Sequence, residues 1–145
     1  MWKQNAARFS EALLKEVLPA VERAFRVEKK PEKRAIAGLS MGGGEALLVG
    51  LNHLGQFGWI GAFSSGGFAG TPEEMFSRLG ERDNARIRLL WIACGHDVRL
   101  LESNRELVEW LTGRRIRHTW RETPGAHTWP VWRRYLADFL RELRW

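Results

Sequence analysis

Between Arg34 and Leu51 the chain changes its hydrophobic period with no linker in between. Arg34-Ala-Ile-Ala-Gly-Leu39 is a short apolar run of the kind that forms a strand buried on both faces. From Met41 to Leu51 the pattern is helical and rich in Ala and Leu. The junction is Gly38-Leu39-Ser40-Met41-Gly42, so the backbone must turn sharply from strand into helix.

The remaining elements repeat this alternation. Residues 5–18 carry Phe9, Leu13 and Val17 at helical spacing, and Pro19 predicts a kink or a second helix continuing through Val21, Ala24 and Phe25. Trp59 to Phe63, Ile87 to Cys94 and Ile116 to Trp120 read as strands. Thr71-Pro72-Glu73-Glu74 reads as a capping box opening a short helix to about Leu79. A helix is expected from Leu100 to Leu111, stopped by Gly113, and an amphipathic one over residues 129–143. Strands separated by helices predict an α/β fold: a mostly parallel sheet of about four strands with helices on both faces, in one domain over residues 1–145.

Composition narrows the functional classes. With 44% hydrophobic and 28% charged residues the chain reads as globular, and no apolar run is long enough for a membrane-spanning helix. The single cysteine, Cys94, excludes an internal disulfide and reads as buried and inert. The net charge of +6 is scattered and interleaved with Glu, without zinc-finger or RNA-recognition signatures, so no nucleic-acid partner is expected. The first residues hold no apolar signal core, which reads as cytoplasmic for the chain as written.

Ligands of such sheets bind at the carboxyl ends of the strands, so chemistry belongs in the loops after Leu39, Phe63, Cys94 and Trp120. The first loop is G-x-S-x-G between strand and helix, the context of a nucleophile elbow. There the glycines relieve crowding, and the helix N-terminus favours developing negative charge. The backbone N–H of Met41 is the natural oxyanion-hole donor. A serine needs a base, and the base needs an orienting carboxylate. Asp97 in Cys94-Gly95-His96-Asp97 and His127 in Pro124-Gly125-Ala126-His127 supply them in the order Ser, Asp, His of α/β-hydrolases. Trp129 and Trp132 flank His127 and are candidate walls of a substrate site, with Ser65 as further pocket lining. No metal is expected, because His96, Asp97 and Cys94 lack a second ligand pair.

These residues resemble the Putative esterase (esterase D-like) family of α/β-hydrolases, which includes feruloyl and acetylxylan esterases of carbohydrate esterase family 1 and enterochelin esterases. The similar stretches are Arg34-Ala-Ile-Ala-Gly-Leu-Ser-Met-Gly-Gly-Gly44, Phe63-Ser-Ser-Gly66, Trp91-Ile-Ala-Cys-Gly95, Leu100-Leu-Glu-Ser-Asn-Arg105 and Glu122-Thr-Pro-Gly-Ala-His-Thr-Trp-Pro-Val-Trp-Arg133. The resemblance implies cofactor-free, two-step hydrolysis of acyl esters of sugars, feruloyl or acetyl, on small molecules or polysaccharides. Relatives of this kind are often secreted.

The chain departs from that pattern twice. An ungapped match puts Val98 at the acid position; Asp97 sits one residue early and is preferred over Glu102, which belongs to the following helix. No strands or Gly-rich donor loop precede the first helix, so the chain resembles the C-terminal half of such an esterase. Its first strand is then expected at an exposed sheet edge, a route to homo-oligomers. The competing expectations are an inactive or truncated remnant, an acyltransferase using the same triad, and a basic binding module.

Overall fold

The computed structural model describes residues 2–68 and 70–144. Four parallel strands lie side by side in chain order: β1 (Ala35–Leu39), β2 (Trp59–Phe63), β3 (Leu89–Gly95) and β4 (Thr119–Thr123). The helices are α1 (Trp2–Ala12), α2 (Leu18–Ala24), α3 (Met41–Asn52), α4 (Pro72–Met75), α5 (Leu101–Gly113) and α6 (Trp129–Glu142). This is the α/β architecture expected from the alternating pattern.

Parallel neighbours in consecutive order need crossovers of one hand, which gather the connecting helices on one face. There Leu47 and Leu51 of α3 and Leu107 and Leu111 of α5 pack on Ile60, Ala62, Leu90 and Ile92. The other face is covered by α6, whose Val131, Tyr135 and Phe139 pack on Trp59, Phe63, Trp91 and Ala93. Phe63 meets Trp91 edge to face at 5.4 Å between ring centroids, a favoured geometry for buried aromatics. Among the described tryptophans, Trp59 and Trp91 are core residues and Trp110, Trp120 and Trp132 pack partly buried against the two cores.

Several boundaries differ from the sequence expectation. Pro19 is not among them, since it sits in the first turn of a second helix, α2, but Leu13–Val17 before it widens into a π-helical turn. A wider turn accommodates a residue that has no N–H and whose ring crowds the preceding turn. Helix α4 stops at Met75 rather than near Leu79, although its capping box forms between Thr71 and Glu74. Strand β4 begins at Thr119, three residues later than the apolar run suggests. Ile116 is buried as part of the connection, and Arg115 takes a positive φ of 57° to deliver it there. Arg117 is then spent on Asn84, its N–H donating to the side-chain carbonyl at 2.7 Å.

The register brings the functional loops together. Leu39 pairs with Phe63, and Phe63 with Ala93, so the turns after β1 and β2 begin level. Strands β3 and β4 stay paired two residues further, to Gly95 and Thr123. Among the described residues, no helix is long and apolar enough to cross a membrane.

Candidate active site

Ser40 occupies the turn between β1 and α3 with φ 54° and ψ −123°, a strained conformation for a residue with a side chain. The turn is held on two sides: Ser40 N–H donates to Phe63 C=O at 2.8 Å, and Gly66 N–H donates to Ser40 C=O at 2.9 Å. A Cβ on Gly38 would lie 2.1 Å from Gly42 O, and one on Gly44 would lie 2.2 Å from Gly66 O. Gly42 itself has open space where its Cβ would be. The crowding expected at the two motif glycines therefore falls on Gly38 and Gly44. The N–H of Met41, at the first position of α3, has no protein acceptor among the described residues.

His127 reaches the elbow from the loop between β4 and α6. Its Nε2 lies 2.9 Å from Ser40 Oγ, the spacing of a serine and its general base. The ring also meets Trp132 edge to face at 4.7 Å, and Trp132 meets Trp129 at 5.6 Å. Trp129 is 66% exposed, a large apolar surface beside the imidazole.

Asp97 is exposed in the loop after β3, and its backbone N–H donates to Gly125 C=O in the His127 loop at 3.2 Å. Among the described residues, no carboxylate hydrogen-bonds the His127 ring. Burial, and then the cation of Arg99, push the His127 pKa down, whereas an adjacent carboxylate would push it up. Val98, which the ungapped match puts at the acid position, is buried. Glu102 lies on the first turn of α5 and faces Arg105 at 3.5 Å. The structure therefore brings Ser40 and His127 together and leaves Asp97 in the adjoining loop.

Ser65 does not line a surface. It is fully buried, and its Oγ has neither solvent exposure nor a hydrogen-bond partner. The β2 end turns inward because Ser64 adopts a φ of 47°, which carries Ser65 beneath the site. Ser64 instead acts from below: Trp132 Nε1–H donates to its Oγ at 3.4 Å. Cys94 is buried with its thiol pushed up, mainly by desolvation. Among the described residues, no group of three His, Cys, Asp or Glu side chains is placed to hold a metal.

Three contributors were not singled out from the sequence. Arg99 sits in the Asp97 loop and acts electrostatically on His127. Glu122 accepts from Arg105 at 2.6 Å and lies 3.4 Å from His96, bracing the ends of β3, β4 and α5. Asn104 is fully buried on α5. Of these, only Asn104 left a signal: a polar residue on the apolar stripe with Leu107 and Leu111.

Comparison with known proteins finds esterases. An acetyl esterase of Caldicellulosiruptor saccharolyticus is 28% identical over 163 residues, covering 90% of this chain and 61% of that protein. An endo-1,4-beta-xylanase/feruloyl esterase of Xylanibacter ruminicola is 30% identical over 142 residues, covering 97% of this chain and 18% of that protein. The chain thus spans about three fifths or less of these relatives' lengths. The CE1 ferulic acid esterase of Anaeromyces mucronatus has the same fold, with a TM-score of 0.82 at 20% identity over 97% of this chain and 54% of the other. The family described as Putative esterase matches residues 3–143, nearly the whole chain, and the protein belongs to that family.

Proposed function

We propose that the chain carries the catalytic centre of a serine carboxylic ester hydrolase acting on acyl esters of sugars, feruloyl or acetyl. The observation that carries the reading is the 2.9 Å approach of His127 Nε2 to Ser40 Oγ at a strained strand-to-helix turn. In the first step Ser40 Oγ bonds to the ester carbonyl carbon while His127 takes its proton. Charge builds on the carbonyl oxygen, which Met41 N–H and the N-terminus of α3 face. The C–O bond then breaks, His127 returns the proton to the departing alcohol, and acyl-Ser40 remains. Water attacks that ester with His127 again as base, releasing the acid and regenerating Ser40.

Asp97 is the carboxylate assigned to orient His127, by a small closure of its loop, since its backbone is already tied to Gly125. Trp129 and Trp132 offer flat apolar faces to the aromatic acyl group or sugar ring. Self-association through the open β1 edge belongs to the same reading. The mechanism needs no cofactor.

A fluorophosphonate probe tests the reading directly. The wild-type chain is expected to be labelled, and Ser40→Ala to lose labelling while keeping its melting temperature. Folded wild-type protein that stays unlabelled would sink the proposal. Asp97→Asn separates the acid: loss of an orienting carboxylate lowers turnover by about 10⁴-fold, whereas an unchanged rate removes Asp97 from the mechanism.

A further inference from the structure

The turn Ser64-Ser65-Gly66 bonds the Ser40 backbone and braces His127 through Trp132, and a buried side chain of α5 ties it down. Gly66 N–H donates to the carbonyl of Ser40 itself. Ser64 Oγ accepts from Trp132 Nε1–H, and the edge of Trp132 meets the His127 ring. Between these two residues, Ser65 C=O accepts from Asn104 Nδ2 at 2.9 Å. The same nitrogen donates to Leu100 C=O at 2.7 Å, at the start of α5. Both amide hydrogens of a fully buried Asn are thus given away, one to the turn after β2 and one to the N-cap carbonyl of its own helix.

The turn has little room to move by itself. A Cβ on Gly66 would lie 2.8 Å from Leu100 Cδ1, and Gly66 O already blocks the Cβ position of Gly44 in α3. The Ser64 backbone is in a left-handed conformation that a non-glycine residue rarely keeps without outside restraint. Ser64 N–H donates to Ala93 C=O at 2.7 Å, and Asn104 adds a second restraint through the next residue. Packing alone would favour an apolar residue on this stripe, because Asn104 Oδ1 is buried without a partner among the described residues.

We infer that Asn104 is a positioning residue: its carboxamide clamps the Ser64–Gly66 turn to Leu100 and thereby sets the distance between Ser40 and His127. It touches neither substrate nor the reacting atoms. The inference rests on the esterase reading for its catalytic consequence, but the clamp itself is measurable without turnover.

Asn104→Ala is compared with Leu107→Ala, a core truncation on the same helix that removes packing and no hydrogen bond. Two quantities are read: hydrogen exchange at the Gly66 amide relative to the amides of β3, and the saturation kinetics of fluorophosphonate labelling. For Asn104→Ala, Gly66 is expected to exchange at least about tenfold faster while β3 is unchanged. Its maximal labelling rate is expected to fall by about a hundredfold, the scale of an ångström-sized misplacement, with the half-saturating probe concentration nearly unchanged. Leu107→Ala should lower the melting temperature and leave both readouts in place. Should Asn104→Ala fail to fold, Asn104→Ser keeps one donor and is expected to be intermediate in both. Equal effects in the Asn104 and Leu107 variants, unchanged Gly66 exchange, or failure of both Asn104 variants to fold would overturn the positioning role. An unlabelled wild type would overturn the esterase reading instead, and Gly66 exchange would still decide the clamp.

Discussion

At the residue scale, Ser40 and His127 were legible because their chemistry and chain order constrain them together. What escaped was the direction in which neighbouring side chains face. Ser65 follows a strand end exactly as a pocket residue would, yet the left-handed backbone at Ser64 turns it inward. Such a conformation at a non-glycine residue leaves no mark in composition or periodicity. The glycines of the elbow make the same point. Gly42 belongs to the sequence motif but has free space around its Cβ position, whereas a Cβ on Gly44, outside G-x-S-x-G, would lie 2.2 Å from the backbone oxygen of Gly66. Backbone cannot yield as a flexible side chain does. Gly44→Ala is therefore expected to destabilise the fold by about 1–3 kcal/mol or more, as overpacking does. Gly42→Ala in the first turn of α3 should be neutral or stabilising by up to about 1 kcal/mol. Chemical denaturation of the two variants checks the contrast, and equal losses would contradict it.

At the element scale, β1, β2 and α3 stood out in the sequence because apolar runs and helical periods meet there without ambiguity. Strand β4 was displaced because Ile116 is apolar for a different reason: it plugs the core below the sheet before the strand starts. Asp97 and His127 were expected at neighbouring strand ends, and the backbones there are joined by His96 N–H to Thr123 C=O at 2.8 Å and by Asp97 N–H to Gly125 C=O. That junction brings the cation of Arg99 into the electrostatic environment of His127. A general base must be neutral, and the His127 pKa is lowered first by burial and then by Arg99. With the Asp97 loop open as in the structure, the acid limb of kcat/KM is therefore expected below the ordinary histidine range, and activity falls as pH drops through that lowered pKa. Arg99→Gln removes a charge that opposes protonation, so the pKa rises and the acid limb of kcat/KM moves to higher pH. The rate on the alkaline side should stay the same. Because Arg99 is exposed, added salt should narrow the gap between wild type and variant. An acid limb unmoved by the substitution would contradict the coupling.

At the scale of the whole molecule, the two sheet edges differ. Strand β4 ends the sheet with Thr-Trp-Arg-Glu-Thr, and its Glu122 is locked to Arg105. Charges on an edge strand discourage further pairing. Strand β1 ends the other side with Ala-Ile-Ala-Gly-Leu, which has none. Beside it, Leu18, Val21, Val27 and Ala35 line an apolar groove, and Val17 and Phe25 are more than half exposed. The open edge was expected from the family resemblance, but the apolar groove required knowing that Val21 of α2 and Val27 in the segment after it stay exposed. We propose that this unpaired, uncharged strand, beside exposed apolar side chains, pairs with a second copy of the 145-residue chain. The 145-residue chain is accordingly expected to associate with rising concentration in sedimentation velocity. Ala37→Lys places a charge at an exposed position in the middle of β1 and should shift the chain toward monomer with little change in melting temperature. Phe25→Lys, outside the strand, should weaken association through the apolar surface alone. A chain that stays monomeric over a wide concentration range, or an Ala37→Lys variant that associates as wild type does, would show that the β1 edge is not the contact.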